Sequence, residues 1–241
     1  MGMIKTKREI ELLKKSAAIT DSCLPLIKES LKEKISEREL SRRIRRRIYS
    51  QGTRLAFLTI VVCGKRSARI HTRPTSKIIS GLGYVDFGAS YKGYKTDATV
   101  PFIKGKVSKR EKRMVQTTLE AYNLAINSIK IGLPCWKLHE KVNKFLKTKG
   151  FEMMHSLGHG LGLKIHESPR ISMPRKCLKG KKKLRWEKMK KITFQEGMVF
   201  TIEPAAYVKG LGGCRIENDV LLTRSGPKIL TKAKLLIIQK P

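Results

Sequence analysis

The chain has 241 residues, of which 40% are hydrophobic, and its 53 lysines and arginines against 19 acidic residues leave a net charge of +34. No apolar run reaches the about 18 residues that span a bilayer, the N-terminal segment lacks the apolar core of a secretory signal, and the five scattered cysteines form no C-x-x-C pair. This composition argues against a membrane-spanning protein and against a disulfide scaffold, and it predicts a cytoplasmic protein with reduced thiols.

The N-terminal part of the chain predicts two helices and a strand. Apolar residues recur at helical spacing over 7–31, which predicts a first helix. Ser36, followed three residues later by Glu39, predicts a capping box and the start of a second helix that ends near Ser50. The outer face of this helix carries the sequence RRIRRR, for which a solvated surface is the simpler interpretation. The β-branched run LAFLTIVVC, residues 55–63, predicts a buried strand.

The middle of the chain predicts a hairpin followed by two helices. The segment 84–103, YVDFGASYKGYKTDATVPFI, indicates two strands on either side of a Lys92-Gly93 turn. Helical patterns follow over 108–129 and over roughly 136–149.

The C-terminal part predicts a second hairpin. The segments GMVFTIEPAAYV and GCRIENDVLLT indicate strands on either side of the turn KGLGG. The preceding segment 176–191 is almost wholly basic and predicts a surface excursion. Each group of helices is therefore followed by a hairpin that carries carboxylates, and no composition change marks a domain boundary.

Each predicted hairpin places two carboxylates opposite each other. Asp86 and Asp97 are equidistant from the point between Tyr91 and Lys92, and Glu203 and Glu217 are equidistant from Gly210 in the second turn. Residues that face each other across antiparallel strands have Cβ atoms about 5 Å apart. The spacing therefore predicts two opposed pairs of acids.

Four carboxylates among apolar neighbours need a positive partner, because opposed like charges destabilise a sheet and unpaired burial is costly. A lysine or arginine is the simplest partner, yet Arg215 is the main cation on these strand segments. Divalent metal explains the pattern better, since four carboxylates and one imidazole form an oxygen-rich donor set for two ions. His159, between two glycines that would let substrate approach the backbone, is the candidate nitrogen ligand. Three of the five histidines fall within 155–166.

These segments together resemble the pita-bread metallopeptidases, the family of methionine aminopeptidase, aminopeptidase P and prolidase. The stretches that carry the resemblance are DFGASYKGYKTDAT, GHGLGLKIHESPRIS, EGMVFTIEP and GGCRIENDVLLT, in the family's order. The resemblance implies an α+β pita-bread fold, with a pseudo-twofold, mostly antiparallel curved sheet flanked by helices. It also implies a single catalytic domain over 1–241, with a basic surface insertion at about 174–191.

Position by position, the resemblance implies overlapping sets of site residues. The implied metal ligands are Asp86, Asp97, His159, Glu203 and Glu217. The implied catalytic residues are His71, His166 and Glu203, and the implied substrate-binding residues are His71, His155, His166 and Arg215. The cofactor would be two divalent ions, with manganese favoured by the oxygen donors and cobalt, iron or zinc as alternatives.

Several details are similar to the Xaa-Pro branch of the family rather than to the methionine aminopeptidases. The stretch ARIHTRPTSKI resembles a segment of aminopeptidase P and prolidase and contains His71, although Ile70 stands where that branch has proline. Arg215, two residues before Glu217, follows the same branch. The resemblance therefore implies hydrolysis of the N-terminal peptide bond of Xaa-Pro peptides by a metal-activated water.

Two alternatives remain open at this point. Methionine aminopeptidase activity is the alternative within the same class of enzymes. A pita-bread binding module for RNA, the ribosome or another polyanion is the alternative of another class, because of the basic charge. A homodimer is also left open, whereas no membrane partner is expected.

Other conspicuous residues have simpler interpretations. His139 is expected at a helix surface or in packing, and Cys63 and Cys214 are expected to pack as small apolar residues on strands. Trp136 and Trp186 are expected to pack, or to cover the basic insertion.

Overall fold

The structure is a computed structural model that describes residues 2–173 and 179–239. Its first helical region is broken into two helices, α1 (Lys7–Asp21) and α2 (Leu24–Lys32). The break falls just before Pro25, which has no backbone N–H and cannot continue the helix that precedes it. The prediction of one helix over 7–31 is therefore wrong at this point.

The second predicted helix is confirmed as α3 (Glu37–Tyr49). The Ser36 side chain accepts a hydrogen bond from the backbone N–H of Glu39 at 3.2 Å, which satisfies one of the free donors of the first turn. The apolar run that follows is a strand only at its two ends, β1 (Arg54–Leu55) and β2 (Ile60–Cys63).

The first predicted hairpin consists of strands β3 (Gly81–Phe87), β4 (Ala89–Tyr91), β5 (Tyr94–Lys95) and β6 (Ala98–Lys104). Its tip is the predicted turn, with φ of 50° at Lys92 and 86° at Gly93. Gly88 separates β3 from β4, and a Cβ there would lie 1.8 Å from the carbonyl oxygen of Thr96. The interruption therefore requires glycine.

The pairing of this hairpin differs from the prediction by two residues. Asp86 lies opposite Thr99, because the ladder is centred between Lys92 and Gly93. A shift of two residues does not change the face of a strand, since side chains alternate with period two. Asp97 consequently lies diagonally from Asp86, and both stay on one face.

The next elements are α4 (Lys109–Ser128) and α5 (Cys135–Thr148), followed by strands β7 (Gly158–Gly160) and β8 (Glu167–Ile171). The predicted basic excursion contains helix α6 (Gly180–Met189), while residues 174–178 lie outside the described part of the chain. Trp186 on α6 packs edge-on against Trp136 on α5, with ring centroids 6.1 Å apart. The expected packing role of the two tryptophans is thereby confirmed.

The second predicted hairpin is likewise interrupted. Its strands are β9 (Val199–Ile202), β10 (Ala205–Val208), β11 (Gly212–Arg215) and β12 (Asn218–Thr223). The pairs Ala205–Arg215 and Ile202–Asn218 lie on either side of the two glutamates and share one register. The predicted register, centred on Gly210, is therefore confirmed.

The last strands are β13 (Gly226–Ile229) and β14 (Leu236–Ile238). The main sheets have the orders β13-β12-β9-β7-β8 and β14-β6-β3-β2, and only β14 pairs in parallel among the described strands. An antiparallel bridge between Thr99 and Glu217 connects the two carboxylate hairpins. This bridge brings the two halves of the chain together at the acids.

Two apolar clusters support the hairpins. One packs α4 and α5 against β9, β11 and β12, and the other packs α2 and α3 against β2, β3 and β6. Cys63 and Cys214 are buried in them, as expected. Among the residues that the structure describes, no helix has the length and apolar character needed to cross a membrane.

Candidate metal centre

Four carboxylates from the two hairpins converge at the connection between the halves. They are Asp86, Asp97, Glu203 and Glu217, with exposed fractions of 6%, 7%, 8% and 2%. Three of them occupy the breaks between strands, where the backbone is released from regular pairing. The interruptions of the hairpins thus place acidic side chains together in the interior.

His159 lies beside these acids. Its Nδ1 donates to the carbonyl oxygen of Gly160 at 3.1 Å, which leaves Nε2 free to act as a ligand. Nε2 lies 3.8 Å from Asp97 Oδ2 and 3.6 Å from Glu203 Oε1. Ligand atoms of Asp97, His159 and Glu217 all fall within 4.8 Å of one another. This spacing is compact enough for a shared metal ion.

The glycines on either side of His159 are needed for a different reason from the one expected. A Cβ on Gly158 would lie 1.9 Å from the carbonyl oxygen of Thr201, and one on Gly160 would lie 2.1 Å from that of Ser168. The neighbouring strands themselves therefore approach too closely for any side chain. The backbone N–H of His159 also donates to Thr201 Oγ1 at 3.1 Å.

Arg215 pairs with Asp86 and, at 3.8 Å, with Glu217, so the simpler cation explanation is partly right. Its Nη2 donates to Asp86 Oδ2, and its Nε donates to Thr99 Oγ1 at 3.0 Å. Thr99 in turn donates to Glu217 Oε2 at 2.7 Å. Arg215 is only 4% exposed, and one guanidinium cannot neutralise four carboxylates. These contacts favour a role in positioning the acids over the expected contact with substrate.

Two of the acids each keep one oxygen that Arg215 does not reach. Asp86 Oδ1 and Asp97 Oδ1 are buried without any hydrogen-bond partner in the described part of the chain. Burial, followed by the charge of Glu217, raises the pKa of Asp97 and Glu203 well above their usual values. Burial also raises the pKa of Glu217 to about 7. Orphaned oxygens and oxygen-rich chemistry fit a pair of divalent cations.

Three further histidines surround the acids. His155 is half-buried, with Nδ1 3.5 Å from Glu203 Oε2, and its Nε2 accepts from the hydroxyl of Tyr207 at 3.1 Å. His166 is exposed, and its ring centroid lies 4.3 Å from that of His159. His71 is exposed in the loop before β3, and it lies close enough to Asp86 to offset a small part of the rise in the pKa of Asp86 that burial causes. The structure thus places the predicted histidines around the carboxylates.

Two supporting residues, Asp219 and Tyr207, were not predicted from the sequence. Both carboxylate oxygens of Asp219 accept the backbone N–H of Asp97, at 3.3 and 3.2 Å. Tyr207 receives a hydrogen bond from Arg215 Nη1 at 3.2 Å and links it to His155. Asp219 follows Glu217 by two residues and therefore falls on the same face of the strand region. This spacing could have indicated that Asp219 lies near the acids.

His139 is buried rather than on a helix surface. It is 7% exposed, and its Nδ1 accepts the backbone N–H of Leu157 at 3.2 Å. The carbonyl oxygen of Leu157 accepts the N–H of Glu203 at 2.8 Å. The packing interpretation of His139 is therefore correct, and this side chain supports the segment that holds Glu203.

A family model described as "Metallopeptidase family M24" matches residues 11–224. The chain belongs to this family. The expected family is thereby confirmed. A curated relative, the Xaa-Pro dipeptidase of Pyrococcus furiosus, is 35% identical over 239 residues, which are 97% of this chain and 64% of the relative. The chain thus spans less than two thirds of that relative's length.

Solved structures of family members have the same fold. The Xaa-Pro dipeptidase from Bacillus anthracis superposes with a TM-score of 0.87 at 33% identity, covering 98% of this chain and 62% of the other. The X-Pro aminopeptidase from Thermotoga maritima superposes with a TM-score of 0.85 at 30% identity, covering 98% and 65%. The expected α+β pita-bread fold is therefore confirmed.

Proposed function

We propose that this chain carries a metal-dependent exopeptidase activity that hydrolyses the N-terminal peptide bond of Xaa-Pro peptides. The observation that carries the proposal is the buried group of four carboxylates and His159, with unpartnered oxygens, next to the exposed His166. The Xaa-Pro dipeptidase and X-Pro aminopeptidase among its relatives support the choice of substrate over methionine peptides.

The proposed ligands are Asp86, Asp97, His159, Glu203 and Glu217. Two divalent ions held there, with manganese favoured over cobalt, iron or zinc, would supply a water of lowered pKa and polarise the scissile carbonyl. Glu203 would accept the proton of the attacking water, since its carboxylate lies at the site, with Oε1 3.6 Å from His159 Nε2.

The histidines act on the substrate in this proposal. His166 and His71 are exposed next to the acids, where an N–H of either ring can donate to the carbonyl oxygen as negative charge develops. His155 is held by Tyr207 and lies against Glu203, so it orients that carboxylate. A proline after the cleaved bond has no N–H, so recognition there depends on shape.

The experiment is a comparison of substrates with each metal. Purified protein is stripped of metal, reloaded with Mn, Co, Fe or Zn in turn, and assayed on Xaa-Pro peptides and on Met-Ala-Ser. We expect kcat/KM to be higher for the Xaa-Pro peptides with at least one metal and activity to vanish without metal. The reverse ranking would assign the chain to the methionine aminopeptidases, and full activity without metal would contradict the proposed centre.

Two further features of the proposal concern surroundings rather than chemistry. The compartment is proposed to be cytoplasmic, and the whole chain is proposed to act as one catalytic domain with α6 as part of its basic insertion.

Binding of α6 to RNA or the ribosome is a second candidate function. It is favoured by the exposed lysines of α6 and by the packing of Trp186, which anchors this helix. Homodimer formation stays a prediction that size-exclusion chromatography with light scattering can test.

A further inference from the structure

A cavity of about 570 Å³ shares His71 with the surroundings of the candidate metal centre. Its walls come from α3, from the segment between β1 and β2, and from the loop that contains His71. His71 therefore belongs both to the surroundings of the acids and to this cavity. The other residues that line the cavity have no part in the proposed reaction.

One wall of the cavity is strongly basic. Arg38, Arg42 and Arg45 line it from α3, at spacings of four and three residues that place them on one face of the helix. Arg73 lines it from the loop. Among the described residues, the ion pairs include Arg42 with Glu39 at 3.5 Å but none with Arg38, Arg45 or Arg73. Three guanidinium groups thus lack an acidic partner.

The lining also carries an apolar surface and a hydroxyl without a partner in the described part of the chain. Leu58 lines the cavity and is 74% exposed. Thr59 also lines it and is 5% exposed, yet its Oγ1 has no hydrogen-bond partner in the described part of the chain. A buried hydroxyl without a partner is costly, so a ligand that bonds to it gains the full value of that bond.

The cavity borders the strand that pairs with the strand of Asp86. Ile60 lines it and lies directly opposite Asp86 in the pairing of β2 with β3. Facing residues in an antiparallel pair have Cβ atoms about 4.5–5.5 Å apart. A peptide that leaves the metal centre past His71 would therefore pass along this cavity.

We propose that this cavity binds the part of a peptide that follows the scissile bond and selects acidic side chains there. The inference rests on the proposed peptidase function. The arginine wall from Arg38 to Arg45 spans seven residues of helix, about 10 Å, which corresponds to about three residues of extended peptide. Carboxylates pair with guanidinium groups in bidentate geometry, while Leu58 contacts the peptide stem and Thr59 bonds to its backbone.

The test compares peptides that differ only in charge. Ala-Pro-Ala-Glu-Glu and Ala-Pro-Ala-Gln-Gln are assayed for kcat/KM at low and high salt. At low salt we expect kcat/KM to be about tenfold higher for the glutamate peptide, which is the effect expected of two partly exposed ion pairs. This preference should shrink at high salt, because salt screens such pairs. Equal kcat/KM for the two peptides at low salt would overturn the proposal.

Matched variants test whether the arginines of the cavity cause the preference for the glutamate peptide. The double variant Arg42→Gln/Arg45→Gln should reduce the ratio between the two peptides to about one. Arg46→Gln/Arg47→Gln removes the same charge from the same helix but outside the cavity, and it should retain the ratio. An equal reduction by both double variants would show a general charge effect and overturn the assignment to the cavity.

A binding measurement separates this inference from the proposed function. Fluorescence anisotropy measures the binding of a labelled Glu-Glu peptide to metal-free protein and requires no hydrolysis. Loss of this binding in Arg42→Gln/Arg45→Gln supports the cavity as the peptide-binding site even if no peptide is cleaved. Thr59→Val should raise Tm, because it removes an orphaned hydroxyl, and weaken this binding about threefold. Tighter binding of an RNA oligonucleotide than of the peptide at the same arginines would overturn the peptide assignment.

Discussion

The two carboxylate hairpins satisfy their charges in different ways. In the first, Asp86 and Asp97 each keep one buried oxygen without a partner among the described residues. In the second, Glu217 accepts a hydrogen bond from Thr99, a residue of the first hairpin. Arg215, which belongs to the second hairpin, binds Asp86 in the first. Each hairpin thus provides the partner that the other lacks.

This exchange shows that the candidate centre belongs to neither half of the chain alone. The bridge between Thr99 and Glu217 joins the backbones with hydrogen bonds of 3.3 and 3.2 Å, and the side-chain contacts cross at the same point. What neither hairpin provides is enough positive charge. That deficit is the physical reason to expect metal.

The largest effect should come from removing one acid from each hairpin. We expect Asp97→Ala and Glu217→Ala each to lower kcat/KM for an Xaa-Pro peptide by about a thousandfold or more, because each removes a proposed ligand. Metal analysis should show reduced binding. Circular dichroism should be unchanged, since removing either carboxylate relieves the repulsion between the buried charges of Asp97 and Glu217. Retained activity in either variant would contradict the ligand set.

The next effect concerns the contact that crosses between hairpins. Arg215→Met leaves the buried Asp86 without its cation, and breaking a buried pair in this way costs about 3–5 kcal/mol. Urea unfolding of metal-free protein measures this loss. Arg224→Gln is the matched control, because Arg224 is 88% exposed and pairs with Glu196 at the surface; its effect should stay below about 1 kcal/mol. Equal losses in both variants would refute the special role of the crossing pair.

A smaller effect tests the support of the second hairpin. Burial lowers the pKa of His139 to about 4 from 6.5, so the unfolded chain binds a proton between these values that the folded chain does not. Stability should therefore fall as pH decreases from about 7 towards 4, by about 3 kcal/mol from this group.

His139→Gln isolates that contribution, because glutamine retains an acceptor for the N–H of Leu157 but does not titrate. The free energy of unfolding of the variant should decline less than that of the wild type over this pH range. Parallel pH curves for the two proteins would show that His139 is not held neutral by burial.

The smallest effect concerns charge outside both hairpins. Lys181, Lys183 and Lys188 are exposed on α6. If this helix binds RNA, their replacement by glutamine should flatten the dependence of log affinity on log salt by about 2 units, at about 0.7 per phosphate contact. Identical slopes for variant and wild type would show that the lysines are only a solvated surface.

Much of the centre was accessible from local patterns. The caps, the two hairpins and the acids follow from short-range signals, because helix starts and turns depend on neighbouring residues. Alternation with period two also determined that Asp86 and Asp97 share a face, even though the predicted pairing was two residues off. The family motifs determined which histidines belong with these acids.

The tertiary structure decided what depends on residues far apart in the chain. The contacts of Arg215 with Asp86 and of Asp219 with Asp97 join positions more than 100 residues apart, which no local pattern specifies. The cavity of α3 arginines beside Ile60 arises only when helix and strand pack together. Side-chain period determines the face of a strand, whereas the partner across that face is determined by packing.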